Sequence, residues 1–168
     1  MWVLRHAKAT AHGPDDHSRV LAPRGLRQAT AVGRSVAADP VDGAPVPVLV
    51  LCSSARRAVQ TAELVVAALA DRTDLEVERG LYEADADDIV DRLRLVHDEV
   101  VSVMVVGHNP TLHDLALLLL DPQDAAGRSR LEAGFPTAAL AVVGIPAPSW
   151  GKLSMGTGRL LALRTPGR

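Results

Sequence analysis

Apolar residues in this chain fall into short, β-branched runs, several of them followed by stretches in which apolar positions recur at helical spacing. Trp2-Val3-Leu4 is a first predicted strand, stopping at Arg5-His6. A polar loop from Ala11 to Arg19 leads to Pro23-Arg24-Gly25, which opens a helix carrying Leu26, Ala29, Val32 and Val36 and stopped by Asp39-Pro40. Val46 to Cys52 is a second strand, followed by Ser53-Ser54 and a helix from about Ala55 to Ala70. Leu75 to Glu78 is a short strand, and Asp87 and Asp88 sit near the start of a helix with Ile89, Leu93 and Val96 on one face. Val101 to Val106 is the clearest buried strand. Gly107-His108-Asn109-Pro110 turns it into another helix, with Asn before Pro as the expected helix-start chemistry. Ala138 to Ile145 and Arg159 to Leu163 complete the set. Strands alternating with helices predict an α/β fold with a predominantly parallel sheet and helices on both faces, in one domain over residues 1–168.

Composition narrows the function. Hydrophobic residues are 48% and charged residues 23% of the 168, as in a soluble globular protein, and the net charge is −2. No basic surplus marks the chain for nucleic acid, and aromatics at 2% leave little to stack bases on. The only cysteine, Cys52, excludes an internal disulfide and a cysteine-based zinc site. No apolar run reaches membrane-spanning length; the longest, Leu115 to Leu120, is helix-sized core flanked by acids. The amino terminus lacks the basic region, apolar stretch and cleavage site of a signal peptide, so the expected compartment is the cytoplasm.

Chemistry concentrates in three segments, Arg5-His6, Ser53 to Thr61 and Gly107-His108-Asn109, each following the carboxyl end of a predicted strand. Ligands of open α/β sheets bind at that edge. The loops there bring two histidines and arginine together with two helix N-termini, which favour an anion. Arginine grips phosphate bidentately, and histidine serves as nucleophile or proton carrier near neutral pH. His12 and His17 read as exposed loop residues within possible reach of the pocket, His97 and His113 as structural, and the cluster Asp85, Asp87, Asp88, Asp91 as a solvated helix start. The histidines are not paired with carboxylates at ligand spacing, so neither a metal nor another cofactor is expected. A cysteine phosphatase loop needs five residues between Cys and Arg; three separate Cys52 from Arg56 and four separate it from Arg57. Cys52 therefore reads as a small buried residue closing a strand.

Leu4-Arg5-His6-Ala7-Lys8 resembles the opening signature of the histidine phosphatase superfamily. Ser53-Ser54-Ala55-Arg56-Arg57-Ala58-Val59-Gln60-Thr61-Ala62 is similar to its Ser-x-x-x-Arg-Ala-x-Gln-Thr segment, which aligns Arg57, not Arg56, with the second phosphate-binding arginine. Val105-Val106-Gly107-His108-Asn109-Pro110 resembles the segment with the second catalytic histidine, and Asp16-His17-Ser18-Arg19 with Leu21 and Arg24-Gly25 the one before the first long helix. Short length and the Arg-His-Ala-Lys start are most similar to the SixA-type branch of phosphohistidine phosphatases.

The resemblance implies a phosphoglycerate mutase-like three-layer αβα sandwich. It implies His6 as nucleophile, Arg5 and Arg57 on the phosphoryl oxygens, His108 completing that cage and Arg19 as a further contact to phosphate or substrate. Larger relatives carry a general-acid carboxylate in a Leu-x-Glu element; here the region reads Arg79-Gly80-Leu81-Tyr82-Glu83-Ala84-Asp85 and does not reproduce the pattern cleanly, which leaves Glu83 as the candidate acid, with Asp85 as the other choice for a phosphomonoesterase. The implied substrate bears a phosphate, with a phosphohistidine protein as first expectation. A small-molecule phosphomonoesterase and a non-catalytic phospho-ligand module are the alternatives; oligomeric state is left open.

Overall fold

The computed structural model describes residues 1–38, 41–69 and 73–166. Six strands, β1 (Trp2–Arg5), β2 (Leu49–Ser53), β3 (Asp74–Glu78), β4 (Val103–Gly107), β5 (Leu140–Gly144) and β6 (Arg159–Arg164), form one sheet in the order β3-β2-β4-β1-β5-β6. The pairings β3/β2, β2/β4 and β4/β1 are parallel, while β5 runs antiparallel to both β1 and β6.

Alternation along the strands sends each residue to one of two cores. Trp2, Leu4, Val50, Cys52, Met104, Val106, Leu140 and Val142 pack on α1 (Pro23–Ala38) and α2 (Arg56–Val66). Their strand neighbours Val3, Leu51, Val105 and Ala141 face α4 (Ala86–Arg94), α5 (Thr111–Leu119) and α6 (Ala125–Glu132) on the other side. β1, β2 and β4 are buried almost throughout, as strands covered on both faces must be. The result is the expected three-layer αβα sandwich. A one-turn helix, α3 (Gly80–Glu83), follows β3, and a 3₁₀ turn spans Trp150–Lys152.

Several local expectations need correction. Leu26 is exposed, and Gly25 and Gln28 take its place on the buried face of α1. The second and fourth strands start later than their apolar runs, because Val46 and Val101 are exposed loop residues. Asp87 and Asp88 do lie in the first turn of α4, and Asp85 caps it in a reciprocal pair with the backbone and side chain of Asp88. Pro110 is the N-cap of α5 and not its first helical residue, after a cis Asn109–Pro110 peptide. The helix stop at Asp39-Pro40 and the helix end at Ala70 lie outside the described residues. The helix α6 carries no apolar stripe that would announce it, burying only Gly127 and Leu131.

Helix α1 is docked through Gly25, where an added Cβ would stand 2.0 Å from the Lys8 carbonyl oxygen. Helix propensity alone favours alanine there by about 1 kcal/mol, but a clash with backbone cannot be relieved by a rotamer change. We predict that Gly25→Ala destabilises the protein by ~2–3 kcal/mol in denaturant titration. Gly80→Ala, where nothing lies within 4 Å of the added Cβ, should leave stability unchanged or slightly higher.

Candidate active site

The sheet order makes β2, β4 and β1 adjacent, and their parallel register sets Arg5 beside Gly107 and Cys52 beside Val106. Ser53, His108 and His6 therefore leave the sheet side by side. The backbone holds this edge closely. His6 N–H donates to Gly107 O at 2.9 Å, and Ala7 N–H to the Thr61 hydroxyl at 3.0 Å. Ala138, at φ 61°, directs its N–H at the carbonyls of both Arg5 and His6. A left-handed conformation costs a non-glycine residue roughly 1–2 kcal/mol, so the surrounding contacts hold that turn against its own preference.

His6 is 9% exposed, and its Nδ1 lies 2.8 Å from its neighbour's carbonyl, Ala7 O. A carbonyl only accepts, so Nδ1 carries the proton and Nε2 keeps its lone pair. Burial, with the charges of Arg57, Arg5 and Arg19 behind it, pushes the His6 pKa down to about 4. The ring of His108 stands 5.1 Å from that of His6, its Nε2 2.8 Å from the Ser53 hydroxyl, and burial lowers its pKa to about 3. Both imidazoles are uncharged at neutral pH. A neutral ring with a free nitrogen can attack phosphorus or accept a proton.

Arg57 is 5% exposed while Arg56 is exposed, so the helix turns the two adjacent arginines in different directions. The terminal nitrogens of Arg57 reach the backbone carbonyl and the carboxylate of Asp16, the latter at 2.9 Å. The same carboxylate takes Nε and Nη2 of Arg19 and, at 2.9 Å, the hydroxyl of Tyr82. These donors, Tyr82 first, hold the Asp16 carboxyl well below the usual range. Arg5 donates to Phe135 O at 2.9 Å. The Nε atoms of Arg5 and Arg57, the Nδ1 of His108 and the Oδ1 of Asn109 are buried without a protein hydrogen-bond partner among the described residues, so polar groups at this edge are left unsatisfied by the protein itself.

The edge thus gathers His6, Arg5, Arg57 and His108. Arg19 is present, but all three of its guanidinium nitrogens are occupied by Asp16 and Thr10 O. Glu83 is exposed and lines a separate surface cavity with Glu78, Asp88 and Arg92. The loop bearing His17 does reach the site: His17 bonds Ser54 Oγ at 2.9 Å, and its carbonyl receives the first N–H of α2, so that helix terminus is less open to an anion than expected. Asp16 and Tyr82 carry roles no reading of residue types gave them. Tyr82, the sole tyrosine, sits edge-on to both His17 and His108. Cys52 is fully buried, its Sγ directed at Ser53 O, and burial pushes its pKa up to about 12, far from a reactive thiolate. Among the described residues no group of three His, Cys, Asp or Glu side chains is disposed to hold a metal ion, and no helix is long and apolar enough to cross a membrane.

Residues 1–102 match the family model of the histidine phosphatase superfamily, branch 1. An uncharacterized protein of Mycobacterium tuberculosis is 36% identical over 166 residues, covering 97% of this chain and 99% of its own length. Among solved structures, a protein assigned as the phosphohistidine phosphatase SixA of Nakamurella multipartitia superposes with TM-score 0.84 at 26% identity, covering 98% of this chain and 95% of that one. One assigned likewise from Agrobacterium tumefaciens gives TM-score 0.80 at 28% identity over 99% and 97% of the two chains. The family match over residues 1–102 and the likeness in fold agree, and the chain belongs to the histidine phosphatase superfamily.

Proposed function

We propose that this phosphatase hydrolyses the P–N bond of phosphohistidine carried by another protein, through a covalent intermediate on His6. The observation that carries the mechanism is the buried, uncharged His6 with Nε2 free, 5.1 Å from His108 and beside Arg5 and Arg57. Nε2 attacks phosphorus; a new P–N bond forms as the substrate's P–N bond breaks. The substrate imidazole leaves neutral, having taken a solvent proton on its distal nitrogen. Water then attacks the phospho-His6, the P–N bond breaks towards Nε2, and dihydrogen phosphate departs. Arg5 and Arg57 stabilise the charge spread over the equatorial oxygens, and His108 completes the cage.

The choice of a P–N substrate follows from the carboxylates. An alkoxide leaving group needs an acid to protonate it. Asp16 is clamped in its ionised form and has no proton to give, while Glu83 lies on another cavity. An imidazole leaving group does without either. The likeness to two proteins assigned as SixA supports the same reading.

The protein should hydrolyse a phosphohistidine peptide at least tenfold faster, in kcat/KM, than an alkyl phosphate, with Glu83→Gln changing the former less than threefold. An acid role for Glu83 would instead cost about 10²–10⁴-fold on the alkyl ester. A preference for the alkyl ester would overturn the substrate assignment.

Arg57→Ala should lower kcat/KM by about 10²–10³. Arg56→Ala, at an exposed position, should cost less than fivefold in the same assay, and equal losses would contradict the placement of Arg57.

A histidine whose pKa is lowered on folding is protonated first in the unfolded chain, so its stabilising effect is complete above about pH 6.5 and lost as pH falls towards 4. Urea midpoints of wild type should fall across that window, and those of His6→Gln should fall less. A parallel fall in both proteins would show that His6 is not buried in its neutral form.

A further inference from the structure

Next to the catalytic edge, and sharing Arg5 and Asn109 with it, lies a solvent-open cleft of about 730 Å³. Arg24, from the first turn of α1, and Arg130, from the last turn of α6, stand on its walls with Gln28 and Thr137. α1 and α6 belong to opposite layers, so the cleft crosses the sheet edge with cations on both flanks and Arg5 in between. No carboxylate lines it among the described residues, and neither Arg24 nor Arg130 has a carboxylate oxygen within 4.0 Å there. In a chain of net charge −2 this is a local concentration of positive charge with no counter-charge on the cleft's own walls among the described residues; Asp124, which acts on Arg130 through space, lies outside that lining. Arg130 is steadied by a bond from Nη2 to Leu163 O at 3.4 Å, whereas no hydrogen bond to the Arg24 side chain occurs among the described residues.

We infer that this cleft is a docking groove for acidic side chains flanking the phosphohistidine on the protein substrate. The inference rests on the P–N reading above. The transferred phosphoryl group is held by Arg5 and Arg57, which leaves Arg24 and Arg130 for anions the substrate carries elsewhere. A small ligand is gripped by burying most of its surface; a groove open along one side, with cations spread across two structural layers, suits an extended acidic strip on a folded partner.

The test compares two phosphohistidine peptides of equal length, one with Asp and Glu around the phosphohistidine and one with Asn and Gln. Phosphoimidazole, which has no second anionic group, serves as the third substrate. Wild type should favour the acidic peptide by roughly five- to tenfold in kcat/KM, through KM, and less so at high salt. Arg24→Ser/Arg130→Ser should lose that preference and turn over phosphoimidazole at the wild-type rate. Equal rates of wild type on both peptides, or a preference that survives the double substitution, would overturn the groove. So would an equal loss on phosphoimidazole, which would place the two arginines on the transferred phosphate. If all three P–N substrates are inert while p-nitrophenyl phosphate is cleaved, the P–N reading itself falls and takes the protein occupant with it.

Discussion

A guanidinium left 5% exposed must be compensated, because the cost of taking an unpaired charge out of water exceeds anything packing returns. Arg57 meets that demand through Asp16, and most of the candidate site is organised around this pair. Asp16 sits in the loop between β1 and α1, so satisfying Arg57 draws that loop across the edge of the sheet. With it come Arg19, held by the same carboxylate, and His17, whose carbonyl receives the first N–H of α2. Tyr82 closes the cluster from the segment after β3. Cations gathered in this way lower the basicity of His6 beyond what burial does, keeping its lone pair free at neutral pH.

Several motif residues are framework for this arrangement. Thr61 receives the Ala7 N–H and donates to Arg57 O at 2.7 Å, which ties the segment after His6 to the helix that carries Arg57. Gln60 accepts the Leu21 N–H at 2.7 Å, fastening the far end of the loop. Small errors in phosphate-gripping geometry cost orders of magnitude in rate, so residues with no contact to the reacting group still bear on it.

The strand-helix alternation and the convergence of Arg5-His6, Ser53 and His108 were legible because each follows an apolar run whose burial on both faces makes it hard to misread. Arg57 was separable from Arg56 by alignment to a motif, and its burial has the physical cause given above. The role of Asp16 was not legible, since beyond the nearby Arg19 its partners Arg57 and Tyr82 lie 41 and 66 positions away and only the fold brings them together. Leu26 misled because its spacing fits the apolar stripe of α1, while the close approach at Lys8 demands glycine next to it. Helix α6 escaped notice for want of an apolar face.

The central claim is that His6 accepts the phosphoryl group on Nε2, the nitrogen left free by the Nδ1 bond to Ala7 O. Rapid quenching into alkali during turnover of a phosphohistidine peptide, followed by peptide mapping and ³¹P NMR of the trapped adduct, tests it most directly. The account predicts an acid-labile, base-stable phosphate on Nε2 of His6. A phosphate trapped on His108, or on Nδ1 of His6, would contradict it.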